Sequence, residues 1–397
     1  MLTNRQIFFQ HLALPSQQPL ALEIERAEGI YMYTPEGKRY IDLVSGVSVS
    51  NIGHRHPKVI EAVKNQLDKY MHLMVYGEYI QSPQVKLAEK IVSLLPKQLN
   101  SVYFVNSGSE AIDGALKLAK RVTGRSEIIA FKNAYHGGTH GALSILGNEE
   151  LKNAFRPLLP DVRHLDFNDF DHIEQITHKT SCVVIEPIQA EAGIILPKSG
   201  YLQTLREKCN ETGTLLIYDE IQMGFCRTGK FFCFEIEGVV PDVICFAKGM
   251  GGGMPIGAFV SSKEMMNQLT FSPALGHITT FSGHPVCAAA ALANLEVLLE
   301  ENLAKAANKK GKLFIQYLEK LEAIKEIRGS GLMLAIDFKD EALNSKVIDF
   351  LMDEGLIVDR FLFHPTCFRI APPLIISEKE IEDICAIVKN CILKAQK

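Results

Sequence analysis

Several patterns that mark particular classes of protein are missing from this sequence of 397 residues. No apolar run reaches the roughly 18 residues of a membrane-spanning helix. The nine cysteines include no C-x-x-C pair, and several stand in apolar segments, so we expect reduced core thiols. No G-x-G-x-x-G motif occurs, which disfavours a Rossmann dinucleotide site. The net charge of -4 gives no electrostatic reason to expect binding to nucleic acid or to an anionic membrane.

Targeting signals and metal motifs are missing as well. Residues 1–20 hold one early arginine and a short apolar patch without a small-residue cleavage pattern, so we expect no signal peptide and a cytoplasmic location. His54 and His56 stand apart from other ligand types, and we expect no metal. The apolar content of 47% and the charged content of 22% are those of an ordinary soluble globular protein.

What the sequence does contain is a regular alternation of strands and helices from residue 101 onward. The predicted strands are 101–106, 127–132, 182–188, 214–220, 242–248 and 258–262. They are apolar on both faces, which predicts an α/β fold around a mixed, mostly parallel sheet that is buried on both sides. We predict a large domain at 51–290, a smaller α+β lobe at 291–397, and an N-terminal segment at 1–50 that joins this lobe.

An acid and a lysine stand at the ends of two of these strands. Asp219 ends one apolar strand, and Lys248 ends another just before a run of glycines. A pyridoxal phosphate (PLP) site needs such a pair, because a lysine bonds the cofactor aldehyde and a carboxylate keeps the pyridine nitrogen protonated. Other interpretations remain open for each residue alone. Lys248 would also fit as a surface lysine beside a flexible loop. Asp219 together with Glu220 would also fit as ligands of a metal ion.

Three further strand ends carry polar residues. Ser107 and Glu110 form a capping-box pattern at a predicted helix start, which is either a phosphate site or an ordinary capped helix. Tyr135 follows the next strand and would stack on a heterocycle or stand in a plain loop. Glu186 and Glu191 follow a third strand, in a site or in a solvated loop.

Together these segments resemble the class III PLP-dependent aminotransferases of the ornithine, acetylornithine and 4-aminobutyrate type. The resemblance covers nearly the whole chain, and its most specific stretches are NSGSEA, EPIQAEAG, YDEIQMGFCRTGKFF, FAKGMGGGMPIGA, HITTFSGHP and FRIAPPL. It implies the PLP-dependent transferase fold of type I, PLP as the cofactor, an aminotransferase activity and a homodimer.

The resemblance also implies roles for individual residues at the cofactor. Lys248 and Asp219 are the catalytic pair: the lysine binds PLP covalently and moves the proton, and the aspartate binds the pyridine nitrogen. Thr280 is expected to complete the phosphate site of the neighbouring subunit. The other implied cofactor-binding residues are Ser107, Gly108, Ser109, Tyr135, His136, Glu186 and Gln222.

The substrate residues implied by the resemblance depart from the ornithine pattern. Arg369 matches the arginine that binds an α-carboxylate, and Glu191 matches the acid that pairs with it in the absence of one. Where ornithine and acetylornithine enzymes have His-Gly-Arg, this chain has Gly138 in place of the arginine, and their N-terminal tyrosine aligns approximately with Val47. The remaining substrate candidates are Thr279 and Tyr79, with Glu78 beside them.

These departures favour one activity and leave others open. The sequence predicts transamination of a terminal (ω) amine or a related amino compound, with a 2-oxoacid such as 2-oxoglutarate or pyruvate as the acceptor. The alternatives are an acetylornithine or ornithine aminotransferase proper, an aminomutase of the glutamate-1-semialdehyde type, and a PLP-fold binding module without chemistry. Gln222 and Arg369 disfavour the aminomutase, and the full set of cofactor residues disfavours the binding module.

Overall fold

The computed structural model describes residues 2–397 and contains thirteen α-helices, three single-turn 3-10 helices and fifteen strands within them. The helices are α1 Asn4–His11, α2 Ser45–Ser48, α3 Pro57–Leu67, α4 Ser82–Ser93, α5 Gly108–Thr123, α6 His140–Ser144, α7 Phe170–Ile173, α8 Tyr201–Thr212, α9 Lys263–Asn267, α10 Pro285–Glu300, α11 Leu303–Leu318, α12 Glu341–Asp353 and α13 Glu378–Ala395. The strands are β1 Arg26–Glu28, β2 Tyr31–Tyr33, β3 Arg39–Asp42, β4 Ser101–Val105, β5 Glu127–Phe131, β6 Val162–Leu165, β7 Thr180–Ile185, β8 Leu215–Asp219, β9 Val243–Phe246, β10 Gly257–Ser261, β11 Ile324–Ser330, β12 Met333–Phe338, β13 Leu356–Ile357, β14 Asp359–Arg360 and β15 Cys367–Ile370.

The largest sheet has seven strands in the order β4-β10-β9-β8-β7-β5-β6. Strand β10 runs antiparallel to β4 and β9, and the pairs from β9 through to β6 are parallel. The predicted α/β fold with a mixed, mostly parallel sheet is therefore confirmed. Because the carboxyl ends of parallel strands meet at one edge, the loops after β5, β7, β8 and β9 come together there.

Two four-stranded sheets connect the N-terminal and C-terminal parts of the chain. One has the order β1-β2-β3-β13, in which β3 and β13 are parallel, and the other has the order β11-β12-β15-β14. The chain passes from the first sheet to the second within residues 356–360. Backbone and side-chain bonds add to this link: the Ala371 amide donates to the Leu43 carbonyl over 2.7 Å, and Ser45 Oγ donates to the Ala371 carbonyl over 2.7 Å. The division at residues 1–50, 51–290 and 291–397 stays a prediction.

Helix α5 follows from its sequence and fixes one side of the strand edge. The Ser107 hydroxyl accepts a hydrogen bond from the Glu110 amide over 3.2 Å, and Gly124 ends the helix in the left-handed region at φ +68°. Its apolar face, which includes Ile112, Leu116 and Ala119, is buried against the seven-stranded sheet. The amino end of this helix is therefore held at the edge where the parallel strands end.

Several predicted boundaries differ from the structure. Strand β6 was not foreseen, because its segment Val-Arg-His-Leu is short and half polar. The strand predicted at 242–248 ends at Phe246, since Lys248 has a φ of +44° that is incompatible with a strand. No helix among residues 2–397 combines the length and apolarity that a membrane span requires.

Candidate active site

A cavity of about 460 Å³ opens where the parallel strands of the large sheet end. It brings together most of the cofactor residues predicted from the sequence. Its lining consists of Val49, Asn106, Ser107, Gly108, Ser109, Tyr135, His136, Gly137, Glu186, Asp219, Ile221, Gln222, Ala247, Lys248, Gly253, Met254, Pro255 and Ile256. Val49, Asn106 and the apolar residues of this lining were not predicted as site residues, although Asn106, Ala247 and residues 254–256 stand in the stretches NSGSEA and FAKGMGGGMPIGA.

The acid at the end of β8 is fixed by two donors. Asp219 Oδ2 lies 2.7 Å from His136 Nδ1, and its Oδ1 accepts the Ile221 amide over 3.0 Å. Because a carboxylate only accepts, the histidine donates its Nδ1 proton here. His136 Nε2 is buried and has no hydrogen-bond partner in the described part of the chain. The aspartate thus has a fixed orientation and a buried setting in which its charge is weakly screened.

The lysine stands in a strained turn beside the same cavity. Lys248 begins the single turn Lys248–Met250 and has a φ of +44°, a conformation that side chains other than glycine rarely adopt. A Cβ at the following residue, Gly249, would overlap the amide of Asn51, so this residue has to be a glycine. Burial lowers the pKa of Lys248, although the carboxylates of Asp219 and Glu191 oppose the shift. Burial therefore increases the fraction of free amine, the nucleophilic form.

The amino end of α5 forms the opposite side of the cavity. Ser109 Oγ accepts the Gly138 amide over 3.1 Å, and a Cβ at Gly137 would overlap this same oxygen. Gly137 has a φ of +135°, which only glycine adopts without strain. The first amides of a helix have no partner within the helix and carry a partial positive charge. The geometry of residues 107–109 is therefore suited to a phosphate or another anion.

A second buried acid supports the aromatic wall. Glu186 accepts the Tyr135 amide over 3.3 Å and the Ala190 amide over 3.2 Å. Burial raises the pKa of Glu186 well above its ordinary value, and the neighbouring charge of Asp219 raises it further. Burial therefore favours the neutral form of Glu186.

These features match a flat heteroaromatic ring with a phosphate at one end. The amino end of α5, Asp219 and Lys248 all line the same cavity. Gln222 Nε2 is buried without a hydrogen-bond partner among residues 2–397, and it also lines the cavity. A buried donor without an acceptor is costly, so an oxygen of a bound molecule is expected to accept from it.

The predicted substrate arginine stands outside this lining, on β15. Arg369 is 1% exposed, its Nη2 donates to Glu191 Oε1 over 2.8 Å, and its guanidinium lies 4.7 Å from the ring centre of Phe361. The structure brings Arg369 and Glu191 together as the resemblance implied. A second acid, Asp359, has its Oδ1 3.2 Å from Arg369 Nε and was not predicted. Asp359 can be recognised as a neighbour of Arg369 only from the pairing of β14 with β15, in which the two residues are directly opposite each other. The sequence alone does not reveal this strand register.

The loop that carries Glu191 is attached to residues 328 and 362–363 in the C-terminal part of the chain. The Leu362 amide donates to Glu191 Oε2 over 3.2 Å, and the Phe363 amide donates to the Glu191 carbonyl over 3.0 Å. Arg328 Nε holds the Gly193 carbonyl at 3.0 Å, and Arg328 Nη1 pairs with the buried Asp337 at 2.6 Å. Glu191 is therefore positioned by the same C-terminal part of the chain that carries Arg369.

The remaining predicted substrate residues lie outside the cavity lining of their own chain. Val47 has a φ of +61° in a left-handed turn, and Val49 reaches the cavity instead. Gly138 is exposed, and a Cβ built there meets no atom within 4 Å. Thr279 is half-buried, Glu78 and Tyr79 are exposed, and the exposed Thr280 has its Oγ1 3.3 Å from the Tyr76 hydroxyl.

Known proteins of one enzyme family match this chain over nearly its whole length. The family described as aminotransferase class-III matches residues 13–392. The curated acetylornithine aminotransferase of Methanopyrus kandleri is 41% identical over 384 residues, which is 96% of this chain and 96% of the relative. A transaminase structure from the marine bacterium Virgibacillus is similar with a TM-score of 0.92, 31% identity and 98% coverage of both chains. A structure of the ornithine aminotransferase from Toxoplasma gondii, with partial occupancy of PLP, has a TM-score of 0.91, 28% identity and coverage of 98% and 93%.

Proposed function

The chain belongs to the class III aminotransferases, and from that premise we propose that it transfers the amino group of an ω-amine or related amino compound to a 2-oxoacid. The enzyme is a PLP-dependent transaminase with the type I fold of this cofactor class. When bound, PLP carries the amino group between the two substrates and withdraws electrons from the carbon that loses its proton.

The roles proposed for the cofactor residues follow from their surroundings. Lys248 Nζ takes the proton from the substrate carbon and returns it, which is supported by the pKa that burial lowers. Asp219 keeps a negative charge at the ring nitrogen, supported by its bonds from His136 and Ile221. The amides of residues 107–109 bind the phosphate, Tyr135 stacks on the ring, and Gln222 donates to the ring oxygen.

The observation that carries the preference for an amine is the buried pair of Glu191 and Arg369. While Glu191 occupies Nη2, the arginine offers an incoming substrate no free fork, so a substrate that enters with an amine end meets no strong carboxylate site. A 2-oxoacid acceptor has an α-carboxylate that displaces Glu191 and binds Arg369 through two oxygens. The acceptors proposed are 2-oxoglutarate and pyruvate, both of which have this group.

Gly138 is the second support for this preference. A side chain at this position has open space around it, and an arginine there would hold a carboxylate at the far end of a substrate. Its absence removes a charge-assisted contact that is worth about 2–5 kcal/mol. The named activity of the relative from Methanopyrus kandleri favours acetylornithine as a second candidate donor. Gly138 weakens that candidate, whereas Val47, which lies outside the cavity lining, does not bear on it.

We also propose a homodimer in which Thr280 completes the phosphate site of the neighbouring subunit. The support is the exposed position of Thr280 outside its own cavity and a surface of large exposed apolar side chains in residues 71–80 and 271–281. These side chains are Met71, Leu73, Met74, Tyr79, Ile80, Phe271, Leu275, Ile278 and Phe281. A cytoplasmic location is proposed because all nine cysteines are free and buried.

A donor panel with a single substitution tests the proposed donor. The purified enzyme is assayed with ω-amines and with N-acetylornithine, each against 2-oxoglutarate and pyruvate. We expect ω-amines without a distal carboxylate to have the higher kcat/KM in the native enzyme. Gly138→Arg should raise kcat/KM for N-acetylornithine by at least about tenfold, because it supplies the distal cation.

Gly138→Gln is the matched control, since it adds similar bulk without a charge. It should leave kcat/KM for N-acetylornithine close to the native value. Unchanged kinetics in Gly138→Arg, or a native enzyme that prefers N-acetylornithine to every amine without a distal carboxylate, would overturn the donor assignment.

A further inference from the structure

The second acid beside Arg369 has a different relation to the guanidinium from that of Glu191. Asp359 Oδ1 lies 3.2 Å from Arg369 Nε, but neither atom has a hydrogen-bond partner among the residues that the structure describes. The carboxylate is thus close enough for a strong charge interaction and is not aligned for a hydrogen bond. Glu191 differs, because it accepts a hydrogen bond from Nη2 at 2.8 Å.

Arg369 also keeps an unused donor. Its Nη1 is buried and finds no hydrogen-bond partner within residues 2–397. A guanidinium binds a carboxylate with two parallel N–H groups. Once Glu191 leaves Nη2, the N–H groups of both Nη1 and Nη2 lack a partner among the described residues, while Asp359 remains beside Nε. Asp359 therefore affects the charge of the arginine and leaves its binding edge open.

The backbone makes Asp359 a permanent neighbour, whereas Glu191 is exchangeable. Asp359 is on β14, directly opposite Arg369 on β15 in an antiparallel pair. Glu191 stands in the loop between Gln189 and Ile195. Burial raises the pKa of Asp359 to about 6, with Arg369 opposing the shift, so the carboxylate is charged at pH 8. An incoming carboxylate thus meets a guanidinium whose charge is largely balanced.

We propose that Asp359 is a specificity-determining residue that weakens the binding of substrate carboxylates to Arg369 and so favours amine donors. This inference rests on the proposed role of Arg369 as the acceptor site. Its physical cause is the fixed negative charge next to the guanidinium, which repels a second carboxylate at short range. The groups it discriminates are carboxylates of 2-oxoacids and α-amino acids on one side and uncharged or cationic amine chains on the other.

The test compares Asp359→Asn with the charge-preserving Asp359→Glu in the PLP-loaded enzyme at pH 8. The probes are propionate, which has a carboxylate but no reactive group, and propionamide, which has nearly the same shape without the charge. We expect Asp359→Asn to lower the inhibition constant of propionate about tenfold and to leave that of propionamide unchanged. The KM for pyruvate should fall by a similar factor, while kcat at saturating pyruvate and the KM of the amine donor stay within about twofold.

Asp359→Glu should behave like the native enzyme, because it keeps the charge. A uniform loss of kcat in Asp359→Asn, or propionate and propionamide shifted equally, would show a structural role and overturn the proposal. Arg369→Lys separates this failure from a failure of the proposed function. If Arg369→Lys weakens propionate binding and Asp359→Asn leaves it unchanged, only the inference about Asp359 is wrong. If Arg369→Lys leaves propionate binding unchanged, the acceptor site itself is misassigned.

Discussion

The cofactor end and the arginine end of this site differ in how the partners of their charged side chains are arranged. At the cofactor end, both oxygens of Asp219 accept hydrogen bonds, from His136 and from the Ile221 amide, so the orientation of the carboxylate is fixed. At the other end, the guanidinium of Arg369 has two acids against it and an unpartnered Nη1 within the described structure. The first arrangement holds one molecule permanently, and the second is suited to exchange.

This difference separates a region suited to permanent binding of a cofactor from a region suited to the exchange of substrates. A cofactor stays through every cycle, so a rigid and satisfied set of partners stabilises it at no cost to turnover. In the proposed reaction two substrates alternate at the arginine, so a partner that is displaced by one and retained with the other would distinguish them. The same substitution, a carboxylate changed to its amide, should therefore have opposite consequences at the two ends.

Asp219→Asn should have the largest effect. The amide keeps the shape of the side chain and removes the charge that holds a proton on the pyridine nitrogen. We expect kcat to fall by about 10²–10³-fold, the range for loss of one strong electrostatic contact at a reacting centre. Steady-state kinetics measure the loss, and the visible absorption after dialysis measures retention of PLP.

Asp349→Asn, an exposed position on α12, is the control and should match the native enzyme. If Asp219→Asn lowers kcat by less than about fivefold, the charge of Asp219 contributes little to catalysis, and the proposed contrast between the two ends is wrong.

Glu191→Gln should produce a moderate gain. The amide is a weaker partner for Arg369, so carboxylates reach the guanidinium more easily, and we expect the KM for pyruvate and for an α-amino acid donor to fall about tenfold. The kcat/KM for an ω-amine should not rise, since the amine end does not use Arg369. Ratios of kcat/KM across the two donor classes measure the change, with the exposed Glu322→Gln as the control.

An equal rise in kcat/KM for α-amino acid donors and for ω-amines would contradict the distinction between the two ends. It would mean that Glu191 restrains the whole site and does not mask one arginine.

Asp337→Asn should have the smallest effect on activity and a measurable effect on stability. Burial opposes ionisation of Asp337, but hydrogen bonds from Arg328 and Thr366 outweigh it and lower the pKa to about 2. A carboxylate with a lowered pKa stabilises the fold above its unfolded pKa, near 3.8, and this contribution is lost as the pH falls through about 2. We expect Asp337→Asn to lower Tm by roughly 2–5 °C at pH 7.

Thermal unfolding from pH 7 to pH 2 measures this difference. The gap between the native enzyme and Asp337→Asn should close between about pH 4 and pH 2. A gap that stays constant over that range would show that the loss comes from packing and not from the charge of Asp337.

The cofactor end was largely predictable from the sequence because its features are local. The capping pattern of Ser107 and Glu110 depends on residues three positions apart, and half of it is realised at the start of α5. The Ser107 side chain accepts the Glu110 amide, but the Glu110 side chain accepts from the Asn106 amide and not from Ser107. Asp219 ends an apolar strand that is recognised from its own five residues. Lys248 was placed correctly beside the glycines, but its left-handed backbone was not foreseen, since φ depends on the packing of Gly249 against Asn51.

The arginine end was predictable only in part. Glu191 and Arg369 were paired through the family resemblance, and nothing in their spacing implies contact. Asp359 was missed because its position opposite Arg369 depends on the strand register, which is a tertiary property. Val47 was chosen by approximate alignment, but the left-handed turn Ser45–Ser48 presents Val49 to the cavity instead.

That turn is tied to the strand of the arginine, through the bonds that join Leu43 and Ser45 to Ala371. Val49, which lines the cavity, and Arg369, which lies outside the lining, are therefore held by connected segments, although they stand at opposite ends of the chain. A redesign of residues 45–49 to admit a bulkier amine should therefore also displace Arg369. Pocket size and acceptor affinity in this enzyme should therefore be selected together, in libraries that vary both segments at once.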